Sequence, residues 1–389
     1  MKAMFSLGVF LLNRLRYPHK FLLIGTLFLT PLLLLGYLLI QEVNQRIVFM
    51  EQQQPGIEYL VQLRNIIRPL QEHRYLAAAV LGGKVELRAK LMQQQTFIDQ
   101  ELVKLQQLDI RFGEQLNTKD LLASLQSDWA TLKQELIMYT QVQSFKHHTA
   151  LVTTMLEYIR HLANTSNLIL ASEMDTYYLV DMLVHHLPKL AEDLGQSRAL
   201  GSTVIIRGVF TTDDWEQLLG SSQGIVKAKK ELERSLQPIL DQNPSLISVL
   251  KQPADKMFGV VDSYNARLEL MLIEDEVTVS LEGFFNQASF TLDSVFELFD
   301  LVAPTLNQLL KKRIKDYQLI RTTTLFIMLS VLLGMVYVFI CFYLSIMRSI
   351  TELRAGIEQI ATGDLTTHIV LATQDETHLI AQQANAMAQ

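Results

Sequence analysis

Thr322 to Ile346 read TTTLFIMLSVLLGMVYVFICFYLSI, a long run without one charged side chain. A second uncharged run, Phe21 to Ile40, reads FLLIGTLFLTPLLLLGYLLI. At about 1.5 Å of rise per helical residue, each run is long enough to cross a hydrocarbon core of roughly 30 Å. Buried core helices and, for the first run, a cleaved signal peptide are the alternatives, but no small-residue cleavage site follows Ile40. The sequence therefore predicts two retained transmembrane helices.

The bulk composition favours a helical membrane protein. Only 19% of the 389 residues are charged, which is low for a soluble protein, and Gly and Pro are sparse. The net charge of −6 and the lack of a basic stripe with interleaved aromatic residues argue against nucleic-acid binding. A single cysteine, Cys341, excludes an intrachain disulfide, so an exported domain must be stabilised by its core.

The charges around the first span predict its orientation. Four basic residues precede it and only Arg46 soon follows it; the four are Lys2, Arg14, Arg16 and Lys20. This asymmetry places the N-terminus in the cytoplasm and residues 41–321 outside it. A basic cluster at 311–321, on the outer side of the second span, points the other way, but long loops translocate largely regardless of charge.

Residues 347–389 carry the most specific pattern in the chain. Apolar residues first follow the spacing of a coiled-coil seam: Ile350, Leu353, Ile357 and Ile360. Gly363-Asp364-Leu365 then ends the helix, and Leu365 and Ile369 are the apolar residues of a connector. Asp375-Glu376 opens a second helix, where carboxylates suit the positive end of the helix dipole; its seam is Ile380, Ala384 and Met387.

This pattern resembles a HAMP domain, the relay module of bacterial receptors. The resemblance implies a parallel four-helix bundle in a homodimer, with signal-relay residues Gly363, Asp364, Leu365, Asp375 and Glu376. Ser349 stands where the family usually has proline, which implies a straighter helix after the membrane. An unrelated juxtamembrane coiled coil is the alternative. A HAMP domain directly after a second span implies a transmembrane signalling receptor.

The segment 41–321 shows helical periodicity, as in Leu60, Leu63, Ile67 and Leu70. Breaks are predicted at Gly82-Gly83, 113–117, 171–175, 213–214 and Asn243-Pro244. The intervening helices of about 20–40 residues are typical of bundles, so the fold class is all-α. The first and last of these helices are expected to run unbroken out of the membrane spans.

An internal repeat predicts two stacked helical modules. Tyr59-Leu60-Val61 is followed by Pro69, and Tyr178-Leu179-Val180 is followed at the same spacing by Pro188. Arg74 comes after the first copy and Arg198 after the second, with five extra residues. Chance similarity between leucine-rich helices is the alternative.

The repeat also contains the candidate ligand site. Proline kinks a helix, and an arginine flanked by small residues can face the bundle interior and bind a small anion. Arg74 and Arg198 are the main candidates, Arg68 and Arg207 are second donors, and the neutral contacts are Gln71, His73, Gln196 and Ser202. Solvated helix faces are the alternative for each arginine taken singly.

The whole segment resembles the helical bimodular sensor domains of proteobacterial chemoreceptors and sensor kinases. The run Thr165–Leu170 continuing into Asp175–Leu179 carries this resemblance, although Ala171-Ser172 stand where an Asp-Pro is expected. Gly195-x-x-Arg198-x-x-x-Ser202 is similar to the anion-binding helix of nitrate sensors. The resemblance implies a small anionic ligand, an organic acid or nitrate.

No pattern of catalysis or of cofactor binding is present. The histidine pairs 147–148 and 185–186 are adjacent and point to different sides of a helix, so no metal is expected. The chain is interpreted as a non-enzymatic receptor of the bacterial inner membrane whose output follows Gln389. A methyl-accepting chemotaxis protein is the first interpretation; a sensor histidine kinase, a diguanylate cyclase or a stand-alone regulator remain alternatives.

The predicted domain order is a cytoplasmic segment at 1–20, transmembrane helices at 21–40 and 322–346, a periplasmic sensor at 41–321 between them, and a HAMP domain at 347–389.

Overall fold

The computed structural model describes residues 2–171, 173–274 and 280–388, so Ser172, one of the two departures noted in the 165–179 run, lies outside the described residues. Within those ranges the chain is helical and contains no β-strand. The helices are α1 Lys2–Asn13, α2 Tyr17–Leu81, α3 Arg88–Leu116, α4 Lys119–Glu135, α5 Gln141–Thr165, α6 Met174–Asp181, α7 Leu187–Arg207, α8 Thr212–Gln242, α9 Gln252–Glu274, α10 Leu281–Ala361 and α11 Glu376–Ala388. The predicted all-α fold class is confirmed.

The chain divides into two compact units, Val48–Lys315 and Met1–Ile47 with Asp316–Gln389. Two long helices, α2 and α10, belong to both units, as expected of helices that run unbroken out of the membrane spans. Each contains a window of high mean hydropathy, 2.3 in α2 and 2.7 in α10, with almost no burial. Two membrane-spanning helices are therefore confirmed.

The unit Val48–Lys315 contains two four-helix modules. The first consists of the outer part of α2 with α3, α4 and α5, and the second of α6–α7, α8, α9 and the outer part of α10. One continuous apolar core runs through both modules. Their first helices lie alongside each other as far as Arg74, and Gln53 donates to the Asn167 carbonyl just before α6, so the modules are side by side and the predicted stacking of one module on the other is wrong. Ile67 lies near Pro188, Gln71 donates to the Ala191 carbonyl, and Arg74 donates to Glu192, so α2 and α7 are parallel neighbours. The two copies of the repeat lie in these first helices.

Local sequence signals explain where the helices end. Asn117 has φ 51° and Gly208 has φ 75°, the left-handed geometry that closes a helix C-terminus. Thr140 with Gln143, and Thr211 with Asp214, form capping boxes at the starts of α5 and α8. The break at 136–140 was not predicted, although Thr-x-x-Gln is a readable start signal.

The two repeat prolines have different surroundings. A wide π-helical turn, Met182–His186, ends two residues before Pro188 and relieves the clash of the ring with the preceding turn. Helix α2 continues without interruption through Pro69.

In the other unit the two membrane helices pair antiparallel and in strict register. Gly25 lies against Phe339, and Gly36 lies against Met328. The forward step from Gly25 to Gly36 in α2 equals the backward step from Phe339 to Met328 in α10. Outside the apolar windows the pairing of the two helices continues, since Arg321 donates a hydrogen bond to Asn44 at 3.1 Å.

The HAMP segment has the predicted helix–connector–helix order. Gly363, at φ 102°, ends α10, and the Asp375 side chain accepts from the Thr377 N–H at 2.9 Å where α11 begins. The side-chain amide of Asn385 bonds both backbone groups of Ile369 at 2.8 Å, which fixes the connector against α11. Helix α10 continues through Ser349 without a break.

Candidate functional site

The two repeat arginines are buried where the modules meet. Arg74 of α2 is fully buried and Arg198 of α7 is 3% exposed. Small residues make the space that they need. A Cβ added at Gly195 would lie 2.8 Å from Nη2 of Arg74, so the guanidinium occupies the place where a side chain would otherwise stand.

Arg74 is held by a buried carboxylate. Its Nη1 donates to Oε1 of Glu192 at 2.7 Å and its Nη2 to Oε2 at 3.3 Å. Gln71 and Gln196 donate to the same carboxylate at 2.9 and 2.8 Å. Such a paired, hydrogen-bonded ion pair is the form in which a protein interior tolerates charge. The charge of Arg74 is therefore already balanced.

Arg198 is less completely satisfied. It donates to Oγ of Ser289 and to the backbone carbonyl of Gln71, both at 3.1 Å, and Glu72 lies 3.1 Å from Nη1. Its Nε has no hydrogen-bond partner within the described chain, which is also true of the Nε of Arg74 and of Arg64. Burial lowers the pKa of Arg198 from its ordinary value, Glu72 opposes this, and the nearby Arg74 charge adds to it.

A cleft of about 500 Å³ opens onto Arg198. Helices α2, α3, α7 and α10 supply its walls, and two more arginines, Arg64 and Arg68, line it. Arg68 forms an ion pair with Asp293 of α10 at 2.6 Å. The other lining residues are Asn65, Pro69, Glu72, Gln93, Gln94, Phe97, Phe285, Ser289, Leu292 and Asp293.

Some of the remaining predicted site residues lie close to Arg74 or Arg198, and others do not. Gln71 and Gln196 join the Arg74–Glu192 network, and Arg68 joins Arg198 in the cleft. Arg207 is not brought to this site, because its guanidinium binds the Val209 carbonyl and Asp214 at the α7–α8 turn. Ser202 is buried, and its Oγ has no partner within the described chain.

His73 belongs to a buried hydrogen-bonded row behind Arg74. Nδ1 of His148 lies 2.6 Å from the Ser144 carbonyl, so this nitrogen carries the proton. Its Nε2 must then accept from Nδ1 of His73 at 2.7 Å, and Gln95 donates to the other nitrogen of His73 at 3.2 Å. Burial lowers the pKa of His73 to about 3 and that of His148 well below its ordinary value. The backbone carbonyl of Ser144 thus determines the tautomers of both His148 and His73.

Sequence reasoning missed the acidic half of the site. Glu192, Glu72 and Asp293 pair with Arg74, Arg198 and Arg68 respectively. Glu192 stands between apolar residues in the stretch Leu190-Ala191-Glu192-Asp193-Leu194, and an acid between apolar neighbours is a signal that could have found it. In the described ranges no group of three or more His, Cys, Asp or Glu side chains could hold a metal ion.

Comparison with protein families agrees with this architecture. Residues 65–254 match the family model described as nitrate and nitrite sensing, and residues 341–389 match the HAMP domain model. The chain carries a receptor's sensor and its HAMP domain. The matched sensor region contains Arg68, Arg74 and Arg198. Searches among curated proteins and among solved structures found no match.

The sensor and HAMP domains are non-catalytic signalling modules, and the two membrane-spanning helices attach them to a membrane. The chain therefore has the architecture of a transmembrane signalling receptor of bacterial type.

Proposed function

We propose that this receptor senses nitrate or nitrite, and that the anion binds in the cleft at Arg198 with Arg68 as second donor. The observation that carries the proposal is the buried guanidinium of Arg198 in the wall of a cleft large enough for a small anion, where its partners are two neutral oxygens and a partly exposed carboxylate. The match of this region to the nitrate and nitrite sensing family supports the choice of anion.

The chemistry of the donors suits a planar oxyanion. A guanidinium presents parallel N–H groups that match two oxygens of a carboxylate or nitrate. The hydroxyl oxygen of Ser289 on α10 accepts from Arg198 at 3.1 Å, so the hydroxyl proton can be donated to a bound anion. Because Glu192 already balances the charge of Arg74, we propose that Arg74 stabilises the packing around the site and is not the primary ligand-binding residue.

A titration of the full-length chain in detergent tests this proposal. Nitrate or nitrite is expected to raise the thermal midpoint, measured against chloride at equal ionic strength. Arg198→Ala should weaken binding at least about tenfold, the value of a charge-assisted hydrogen bond of about 1.5–3 kcal/mol. Arg234→Ala, an exposed arginine of α8, is the matched control and should leave binding unchanged.

Two results would contradict the proposal. If neither nitrate nor nitrite stabilises the wild-type chain, the proposed ligand class is wrong. The site is elsewhere when Arg198→Ala and Arg68→Ala both bind as tightly as wild type.

We propose that the sensor unit lies in the periplasm, that the chain lies in the bacterial inner membrane and that it acts as a homodimer. The excess of basic residues before the first span supports this orientation. Three apolar residues of the HAMP seams are exposed on the single chain, namely Ile357, Ile380 and Met387. A partner HAMP domain in a parallel bundle would bury them. Cysteine cross-linking at Ile357 in native membranes tests the homodimer.

We propose further that the HAMP domain drives a methyl-accepting chemotaxis output. The resemblance of the run 165–179 to a group of chemoreceptor sensors supports this choice. Nitrate-dependent methylation of the native protein, followed by gel mobility, is the expected result. Nitrate-dependent phosphorylation from ATP, or cyclic di-GMP formation from GTP, would instead assign a kinase or a cyclase.

A further inference from the structure

We infer that Asp293 is an internal competitor for the anion: its carboxylate occupies Arg68, and the ligand takes its place. This inference rests on the proposed anion site and adds how that site is regulated. Displacing Asp293 would also break a direct link between α2 and α10, the two helices that continue into the membrane spans.

Each arginine around the site has its own carboxylate. The four pairs are Arg64–Asp300, Arg68–Asp293, Arg74–Glu192 and Arg198–Glu72. The cluster as a whole is therefore electrically balanced before any ligand arrives. An added anion gains most when it replaces one of these carboxylates rather than joining all four, because like charges at close range repel each other.

The exposure of both partners decides which pair opens, because Asp300 is 50% exposed but its partner Arg64 is only 12% exposed. The side chains of Arg68 and Asp293 are 47% and 45% exposed, so water solvates the carboxylate as soon as it leaves. Exposed pairs of this kind contribute little to stability. Glu192 is 3% exposed and receives hydrogen bonds from three side chains, so its release would leave a buried charge unpaired. Glu72, at 31%, is intermediate.

The geometry connects this exchange to the signalling helices. Arg68 is on α2, and Asp293 and Ser289 are one turn apart on the cleft-facing side of α10. In the unliganded arrangement Asp293 ties α10 to α2, whereas an anion on Arg68 and Arg198 leaves Asp293 unpaired. The Arg64–Asp300 pair, two turns nearer the membrane end of α10, still joins the same helices. Anion binding would therefore loosen the outer part of this helix pair first.

The test is the nitrate affinity of the full-length chain in detergent, measured by calorimetry at constant ionic strength. Asp293→Asn is expected to tighten nitrate binding about 2–5-fold, the equivalent of removing an exposed ion pair that competes with the ligand. Asp293→Ser should act in the same direction, so a folding defect peculiar to one variant does not decide the result. Glu297→Gln removes a charge from an exposed position one turn further along α10 and is the matched control.

The outcomes separate the inference from the function on which it rests. Tighter binding in both Asp293 variants with unchanged affinity in Glu297→Gln supports competition. Unchanged or weaker binding in the Asp293 variants overturns it, and so does equal tightening in Glu297→Gln, which would show only a general effect of charge. A wild-type chain that binds neither nitrate nor nitrite refutes the proposed function itself.

Discussion

The buried pair between Arg74 and Glu192 gives the sharpest stability prediction. Glu192→Gln keeps the size of the side chain but leaves the Arg74 guanidinium charged and fully buried without a counter-ion. Removing one partner of such a pair costs about 3–5 kcal/mol in the free energy of unfolding. At about 2 °C per kcal/mol for a domain of this size, the thermal midpoint should fall by roughly 6–10 °C. Circular dichroism of the full chain in detergent measures this change.

A matched surface pair controls for the loss of charge alone. Glu231 and Arg234 form an ion pair on an outer face of α8, and Glu231→Gln should change the free energy of unfolding by less than about 1 kcal/mol. The double variant Arg74→Met with Glu192→Leu should recover most of the stability that the single variant loses, because it leaves no buried charge. A Glu192→Gln variant as stable as Glu231→Gln would refute the reasoning.

Two further predictions concern the core. Because burial lowers the pKa of His73 to about 3, the unfolded chain binds a proton near pH 6.5 before the folded chain does. The free energy of unfolding should therefore fall as the pH drops below about 6.5 toward 3, and His73→Gln should flatten that slope in thermal scans; an unchanged slope would contradict the assignment. Gly56→Ala should destabilise by about 1–3 kcal/mol, because its Cβ would collide with Ser166 and Leu168, whereas Gly220→Ala, with open space around it, should stabilise by up to about 1 kcal/mol. Equal midpoints for these two glycine variants in denaturant unfolding would argue against the packing at Gly56.

Sequence periodicity was sufficient for the helices but not for all of their ends. The end of α9 at Glu274 and the start of α10 at Leu281 were not predicted, and the break predicted at 213–214 lies just inside α8, which begins at Thr212. The uncharged runs, the Gly363 turn and the Asp375 start have purely local causes, namely length, left-handed backbone geometry and capping. Each of these features depends only on its own segment of sequence, so it can be predicted without knowing which helices pack against that segment. The break at 136–140 was missed because an apolar run continues through it and hides the Thr140 capping box.

The site could be predicted only in part. The repeat located Arg74 and Arg198, since two equivalent helices carry equivalent residues. Their partners could not be found in this way, because Glu192 and Asp293 lie on other helices, far along the chain from the arginines that they bind. Arg207 has the same local character as the others, but its position at the end of α7 directs it to Asp214. Which arginines converge is decided by the packing of α2, α7 and α10.

The matched spacing of Gly25 with Phe339 and of Gly36 with Met328 has a practical consequence for building hybrid receptors. A junction placed at one of these positions in the first membrane helix should be made at its partner in the second, so that both pairs keep their contacts. A single inserted residue in only one helix would turn every later side chain by about 100° and move it about 1.5 Å along the axis. The Met328 side chain would then no longer lie opposite Gly36, where the absence of a side chain leaves space for it. Equal insertions in both helices would preserve the fit, so the two membrane segments should be exchanged together as one part.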